Sequence, residues 1–323
     1  MNILITSAGR RVSFITYCKE ESKKKLGADA KVYTTDLDPA TSPACVLSDK
    51  GFKVGRFTDP DYMTVLLQLC IENNVKLVIP TLDTELKLMA AHRQQFRLRG
   101  IEIVVSDIEV INTCRDKRLT NSFFASKGFD VSPLVNIDAP SFPIFIKPHD
   151  GSSSQNIFLI KDASMLAPYM TDKNRFMHLE YLSPDEHTEY TVDMYYDKYG
   201  VLQCLVPRIR IATRSGEVSK GITRKDHVLE FLKQKLPSIP GARGCLTLQL
   251  FFKKNQKKFY GIEINPRFGG GYPLSYQAGA NYIGFLIDEY LLGVTISYTE
   301  SWEENLLLLR YDQELLIHDF DYT

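Results

Sequence analysis

Residues 259–273, FYGIEINPRFGGGYP, decide how the rest of the chain is read. Ile262 and Ile264 alternate with Glu263 and Asn265, so a strand here buries two isoleucines on one face and presents a carboxylate and an amide oxygen on the other. Such hard oxygen donors suit Mg²⁺, with Mn²⁺ as the alternative. Arg267 follows on the same side as the strand ends, and Gly269, Gly270 and Gly271 let the backbone bend closely around a bound group. Together these features point to a polyphosphate site. An amphipathic edge strand followed by a glycine loop is the competing reading.

The preceding residues strengthen the first reading. In 244–252, GCLTLQLFF, Leu246, Leu248 and Leu250 alternate with Thr247, Gln249 and Phe251, and the polar run 254–258 separates this segment from the Glu263 strand. The pattern is that of a β-hairpin. A turn centred on Gln256 places Gln249 across from Glu263, so Gln249, Glu263 and Asn265 form one oxygen-rich patch.

Upstream, strands alternate with helices. Residues 2–6 read as a strand, 7–11 as a turn, 12–25 as a helix and 31–35 as a second strand closed by Asp36; helices near 61–72 and 85–97 flank strands at 76–81 and 101–105. This alternation predicts a doubly wound parallel sheet of the α/β class. Asp36 lies where a dinucleotide fold would hold a ribose, but SAGRRVS supplies one glycine where the dinucleotide fingerprint needs three. Residues 81–85, TLDTE, stand at the carboxyl end of a strand. They are either ligand contacts or a helix cap, Asp83 and Thr84 being the capping candidates.

Near Cys114 the repeating pattern gives way to a single expected helix over 115–127. The apolar strand 142–148 then carries one inward-capable lysine, Lys147, followed by His149, Asp150, Gly151, Ser152, Ser153 and Ser154. This is either a phosphate clamp or a solvated loop. Strands are expected at 176–182, 188–197 and 201–211. Arg208 and Arg210 share one face of the last of these by their spacing of two, where they could hold a carboxylate or phosphate or pair with acidic neighbours. Residues 306–317 read as a final apolar strand or a buried helix edge.

The composition excludes several alternatives. Lysine plus arginine equals aspartate plus glutamate, 39 each, so no global field recommends a nucleic acid or acidic membrane as partner. The six cysteines are scattered without a CxxC pair, which suits a reducing cytoplasm. The histidines lack zinc-site spacing. The opening MNILITSAGRR enters a strand directly, and no run of about 18 apolar residues occurs, so neither export nor membrane insertion is expected.

With these residues in hand, the chain resembles the ATP-grasp superfamily, most closely the ATP-grasp domains of carbamoyl-phosphate synthase large subunits and biotin carboxylase-like ligases. The resemblance rests on FIKP, EYL with EYTVD, and Gln249 followed by EINPR, in that order. It implies an N-terminal pre-ATP-grasp domain over 1–113 and a two-lobed α+β ATP-grasp domain over 114–323, with a mobile lid at about 128–183. It further implies that Lys117 and Lys147 contact ATP phosphates beneath a flap at Gly151, Ser152, Ser153 and Ser154. Glu180, Tyr181 and Leu182 would meet the adenine and Glu189, or else Glu186, the ribose. Glu263 and Asn265 would hold Mg²⁺ beside Gln249, and Arg267 would face the transferred phosphoryl group. The implied activity is ATP-dependent activation of a small carboxylate for attack by an amine, with a homodimer as the candidate assembly. A carbamoyl-phosphate-synthase-like phosphorylation of carbamate or bicarbonate within a larger assembly, and a non-catalytic nucleotide-binding module, are the alternatives.

Overall fold

The computed structural model describes residues 1–150, 156–169, 175–214 and 216–321. Its first sheet comprises β1 (Asn2–Thr6), β2 (Val32–Asp36), β3 (Lys50–Lys53), β4 (Val75–Pro80) and β5 (Glu102–Ile103). They are all parallel, in the order β3-β2-β1-β4-β5. Helices α1 (Val12–Leu26), α2 (Pro43–Leu47), α3 (Tyr62–Glu72) and α4 (Leu86–Arg97) connect them. β1 is apolar almost throughout because both faces are covered: Ile3 and Ile5 join one core and Leu4 the other. Three lysines in the last turn of α1 favour its negative dipole end, and Gly27 terminates it at positive φ.

Two details differ from the pattern read along the sequence. The short pair α2 and β3 adds an edge strand, KGFK, too brief and polar to announce itself by alternation. Asp36 turns back on the first loop, where its carboxylate accepts from the Gly9 amide at 3.1 Å. That contact occupies it within the fold and removes the reason to assign it a ribose.

The expected helix over 115–127 forms, beginning two residues later than read and separated from the helix before it. Helices α5 (Ile108–Arg115) and α6 (Lys117–Ser126) meet at Asp116, which ends the first and caps the second by accepting from the Arg118 amide. The break puts Lys117 at the first position of α6, where its amide donates to the His149 carbonyl at 2.8 Å. A small antiparallel sheet follows, β6 (Ile144–Pro148), β7 (Phe158–Ile160) and β8 (Phe176–Glu180), in the order β7-β6-β8. The one-turn helix α7 (Ala163–Leu166) packs on it through Leu166.

The largest sheet is wholly antiparallel. It contains β9 (Thr188–Tyr196), β10 (Leu202–Arg214), β11 (Glu217–Thr223), β12 (Gly244–Lys253), β13 (Lys258–Asn265) and β14 (Leu307–Leu309), in the order β13-β12-β9-β10-β11-β14. Helices α8 (His227–Lys235), α9 (Tyr272–Gln277) and α10 (Tyr282–Tyr290) accompany it. One hydrophobic core runs from β1 and α1 into this sheet. Phe14 of α1 sits 4.7 Å, ring to ring, from Phe268, and Tyr17 stacks on Tyr276 at 4.0 Å. Residues 306–317 form neither a long strand nor a buried helix edge. Only Leu307–Leu309 pair with β11, and Leu315, Leu316 and Ile317 are exposed.

Gly261 lies where β13 meets α6, and a Cβ there would fall 2.3 Å from the ring of buried Phe124. Gly261→Ala is therefore expected to cost about 1–3 kcal/mol by overpacking, read as a lower midpoint in urea or guanidinium unfolding.

Candidate active site

The antiparallel register builds the site in rows. Gln249 of β12 pairs with Glu263 of β13 on one side and with Thr191 of β9 on the other, while Thr191 in turn pairs with Arg208 of β10. Paired residues share a face, so Glu263, Gln249, Thr191 and Arg208 stand in line across four strands. All four line one cleft of about 650 Å³. A neighbouring row contributes Asn265, opposite Thr247, and Thr247 is itself opposite Asp193.

The turn alone does not produce this register. Lys253 pairs with Lys258, which would bring Ile262 opposite Gln249; a bulge between Gln249 and Leu250 shifts the ladder by one residue and brings Glu263 there instead. Ile262 is the extra residue. It is half-buried and lines the cleft, whereas Ile264 enters the core as expected.

Cations converge on this oxygen-rich patch. Lys147 of β6 is 6% exposed, and burial, reinforced by Lys117, pushes its ammonium down to about 8 although Glu263 opposes the shift. Burial also lowers Lys117, again against the pull of Glu263. Two desolvated ammonium groups sharing one carboxylate make a strong site for added negative charge.

The two arginines of β10 are held differently. Arg208 is 1% exposed and lies 2.9 Å from Asp193, whose carboxylate also accepts from the Thr247 and Ser275 hydroxyls. A Cβ on Gly271 would come within 2.2 Å of the Arg208 guanidinium, so the glycine there admits the arginine beneath the loop. Arg210 pairs with Glu189 and reaches the Gln249 side-chain oxygen at 3.4 Å.

Arg267 has a partner that its local sequence does not reveal. Its Nε donates to Asp83 Oδ2 at 2.8 Å, its Nη2 donates to the same oxygen, and its Nη1 donates to the Phe268 carbonyl. Arg11 crosses beside it, donating at 3.1 Å to both the Phe268 and Thr81 carbonyls. Burial and the adjacent Arg267 lower the Arg11 guanidinium to about 10. Within TLDTE, Glu85 stands just before α4, and its carboxylate is consumed by the Thr6 and Ser7 hydroxyls and the Thr81 and Leu82 amides. Asp83 is the member that faces the cleft, and neither it nor Thr84 caps the helix.

At the opposite end Glu180, Tyr181 and Leu182 line the cleft with Phe145, Leu179 and Phe251. Glu189 lines it too, whereas Glu186 pairs with Lys253 and does not. The expected flap residues Gly151, Ser152, Ser153 and Ser154 lie outside the described residues. Every other expected site residue lines this one cleft: Lys117, Lys147, Glu180, Tyr181, Leu182, Glu189, Arg208, Arg210, Gln249, Glu263, Asn265 and Arg267. Sequence reasoning missed Arg11, Thr191 and Glu217 as wall residues. Thr191 was recoverable, since it lies two residues beyond Glu189 and so shares its face.

Comparison with known proteins agrees with this geometry, since an ATP-grasp family model matches the part of the chain that carries most of the cleft. Residues 172–311 match the family model described as ATP-grasp in the biosynthetic pathway with Ter operon, and residues 3–104 match the PylC-like N-terminal domain. Among solved structures, the biotin carboxylase domain of Hydrogenobacter thermophilus 2-oxoglutarate carboxylase aligns with a TM-score of 0.71 at 14% identity, over 95% of this chain and 73% of that one. N5-carboxyaminoimidazole synthetase from Staphylococcus aureus aligns at 0.67 and 16%, over 92% and 78%. The L-amino acid ligase from Bacillus licheniformis aligns at 0.65 and 17%, over 90% and 74%. At these identities the likeness is one of fold. No curated protein sequence matches the chain. Among the described residues no helix is long and apolar enough to cross a membrane.

Lys147 gives the ligand-free protein a pH signature. Its ammonium loses its proton near pH 8 when folded and near the ordinary 10.5 when unfolded. Between those values the unfolded chain holds the extra proton, so this residue makes stability rise with pH, with a slope approaching about one proton per molecule. Buried thiols such as Cys70 and Cys204, raised by desolvation, act in the opposite sense over the same interval, so the measurement is a difference: denaturant titrations should show the stability of the wild type relative to Lys147→Met rising with pH.

Proposed function

We propose that this protein is an ATP-dependent ligase that activates a small carboxylate as an acyl phosphate for attack by an amine. The observation that carries the reading is the convergence of the Glu263, Gln249, Thr191 and Arg208 row with Asn265, Lys117, Lys147 and Arg267 on one cleft. Although the whole chain is electrically balanced, Arg10, Arg11, Arg115, Lys117, Lys147, Arg208, Arg210 and Arg267 outnumber the acidic groups of the lining, Asp83, Glu180, Glu189, Glu217 and Glu263. That excess suits a polyphosphate and a second anion. Residues 1–113 serve as the pre-ATP-grasp domain and 114–323 as the ATP-grasp domain, with a lid at about 128–183.

Mg²⁺ fits the residues present. Among the described residues no group of three or more His, Cys, Asp or Glu side chains could cage a metal. One carboxylate, Glu263, stands beside the amides of Asn265, 3.0 Å away, and Gln249. Such a sparse, all-oxygen set suits an octahedral cation that takes its remaining ligands from phosphates and water. Glu263 and Asn265 would hold the ion with Gln249 adjacent, and the ion would neutralise phosphate charge.

The chain's own groups then divide the work. Lys117 and Lys147 bind phosphate oxygens, and Glu180, Tyr181 and Leu182 meet the base. Glu189, steered by Arg210, accepts from the ribose hydroxyls, and Arg208 and Arg210 supply positive charge under the phosphates. A carboxylate oxygen of the substrate attacks the terminal phosphorus and ADP departs. Arg267 donates to the phosphoryl oxygens as charge develops on them. The amine next attacks the acyl carbon, inorganic phosphate leaves, and the amine proton passes to solvent. The ADP-bound synthetase, the amino acid ligase and the biotin carboxylase domain with MgADP and bicarbonate support this use of the fold. The last of these also favours bicarbonate or carbamate phosphorylation as the second reading.

Phosphate release measured with pools of amino acids and small carboxylates, and separately with bicarbonate, tests the proposal. Glu263→Gln should abolish turnover, and a folded variant with wild-type turnover would refute the reading. Arg267→Ala should lower turnover by roughly 10² to 10³ while changing nucleotide affinity much less, as for a donor used mainly in the transition state. Equal falls in turnover and affinity would make Arg267 a binding or structural residue, and no stimulated phosphate release by the wild type would favour the non-catalytic nucleotide-binding module.

A further inference from the structure

Arg267 is held from outside the sheet that carries it. Asp83 projects from the loop after β4, at the carboxyl edge of the N-terminal parallel sheet, and its Oδ2 takes two donors of the guanidinium. Both side chains are mostly buried, 17% and 13% exposed for Arg267 and Asp83. The Phe268 carbonyl takes a donor from Nη1 at 2.9 Å. Of the guanidinium's five N–H groups, one on each terminal nitrogen is not used in these contacts. A planar fork fixed along one edge can present only its other edge to a ligand.

The backbone on either side is tied as well. Arg11, from the loop after β1, bridges the Thr81 carbonyl, two residues before Asp83, to the Phe268 carbonyl, one residue after Arg267. Phe14 of α1 packs on the Phe268 ring. The N-terminal unit thus grips the segment that follows the proposed metal strand through a backbone bridge, an aromatic contact and a carboxylate.

We infer that Asp83 is a positioning residue for the phosphoryl transfer: it sets the orientation of the Arg267 guanidinium, so the N-terminal unit is a working part of the catalytic site. The inference rests on the ligase reading above. It differs from a purely structural ion pair in what it requires, because an ion pair between loops stabilises the fold without regard to where the remaining N–H groups point.

The test is a mutant cycle on the full chain, reading substrate-stimulated phosphate release, nucleotide affinity and thermal unfolding. Asp83→Asn keeps the shape and removes the charge. It should lower kcat by about 10- to 100-fold, the scale of misplacing a reacting group by about 1 Å, with nucleotide Kd within about threefold. Because Asp83 acts through Arg267, Asp83→Asn combined with Arg267→Ala should be no slower than Arg267→Ala alone. Multiplying effects, or an unchanged kcat in Asp83→Asn, would overturn the inference while leaving the ligase reading in place. If Asp83→Asn does not fold, Asp83→Glu makes the same measurement by keeping the charge and displacing the carboxylate: a fall in kcat at constant Kd is expected, and wild-type kcat overturns the inference. No turnover by the wild-type chain with any carboxylate, amine or bicarbonate would overturn the ligase reading and this inference with it.

Discussion

The placement of Glu263 opposite Gln249 is the constraint on which the site depends. A strand has only two faces, so a slip of one residue in β13 would send Glu263 and Asn265 to the opposite face. The bulge at Ile262 sets the register, and the tight contact of Gly261 with Phe124 presses β13 against α6 beside it. Lys117 opens that same helix, so the packing that seats the bulge also seats a lysine of the cleft.

The chemistry of the cleft depends on how its charges are compensated. Asp193, fully buried, is satisfied by two hydroxyls and faces Arg208, which lets a guanidinium sit under the glycine loop at a tolerable desolvation cost. Glu189 holds Arg210 and Asp83 holds Arg267. Glu263 pulls on both Lys147 and Lys117, and Asp116 and Asp150 on Lys117 as well, yet burial still moves both ammonium groups toward neutrality. A polyanion entering between them restores what burial took away.

Much of this was legible in the chain. Alternation in 244–252 and 259–265 exposed the hairpin and its polar face, and regular strand–helix alternation exposed the parallel sheet. The facing of Gln249 and Glu263 followed from counting back from the turn, although the real ladder reaches it through a bulge that counting cannot see. Other features left no local trace. Asp116 makes α6 start at Lys117 rather than at Arg115, because a capping carboxylate competes with the continuing turn. The brief strand β3 and the exposed apolar residues 315–317 contradict what their composition suggests. The pairing of Asp83 with Arg267 joins residues 184 apart and that of Arg11 with Phe268 joins residues 257 apart. No periodicity encodes such contacts, because they arise only when two separately patterned units dock.

That separation also bears on how the protein acquires its competence during synthesis. A chain emerging amino end first completes its parallel sheet, then the strands bearing Lys147 and Glu189, and only much later the segment with Glu263 and Arg267. The glycine loop waits longer still, since Arg310 beyond it donates to the Gly270 carbonyl and grips Glu217. Contacts of such long range form slowly, because loop closure must precede any gain from them. A nascent chain therefore carries most of the charged wall of its cleft, cationic and acidic alike, before Glu263, Asn265 and Arg267 appear, and the cleft becomes a site only when its last strand has joined the edge of the sheet.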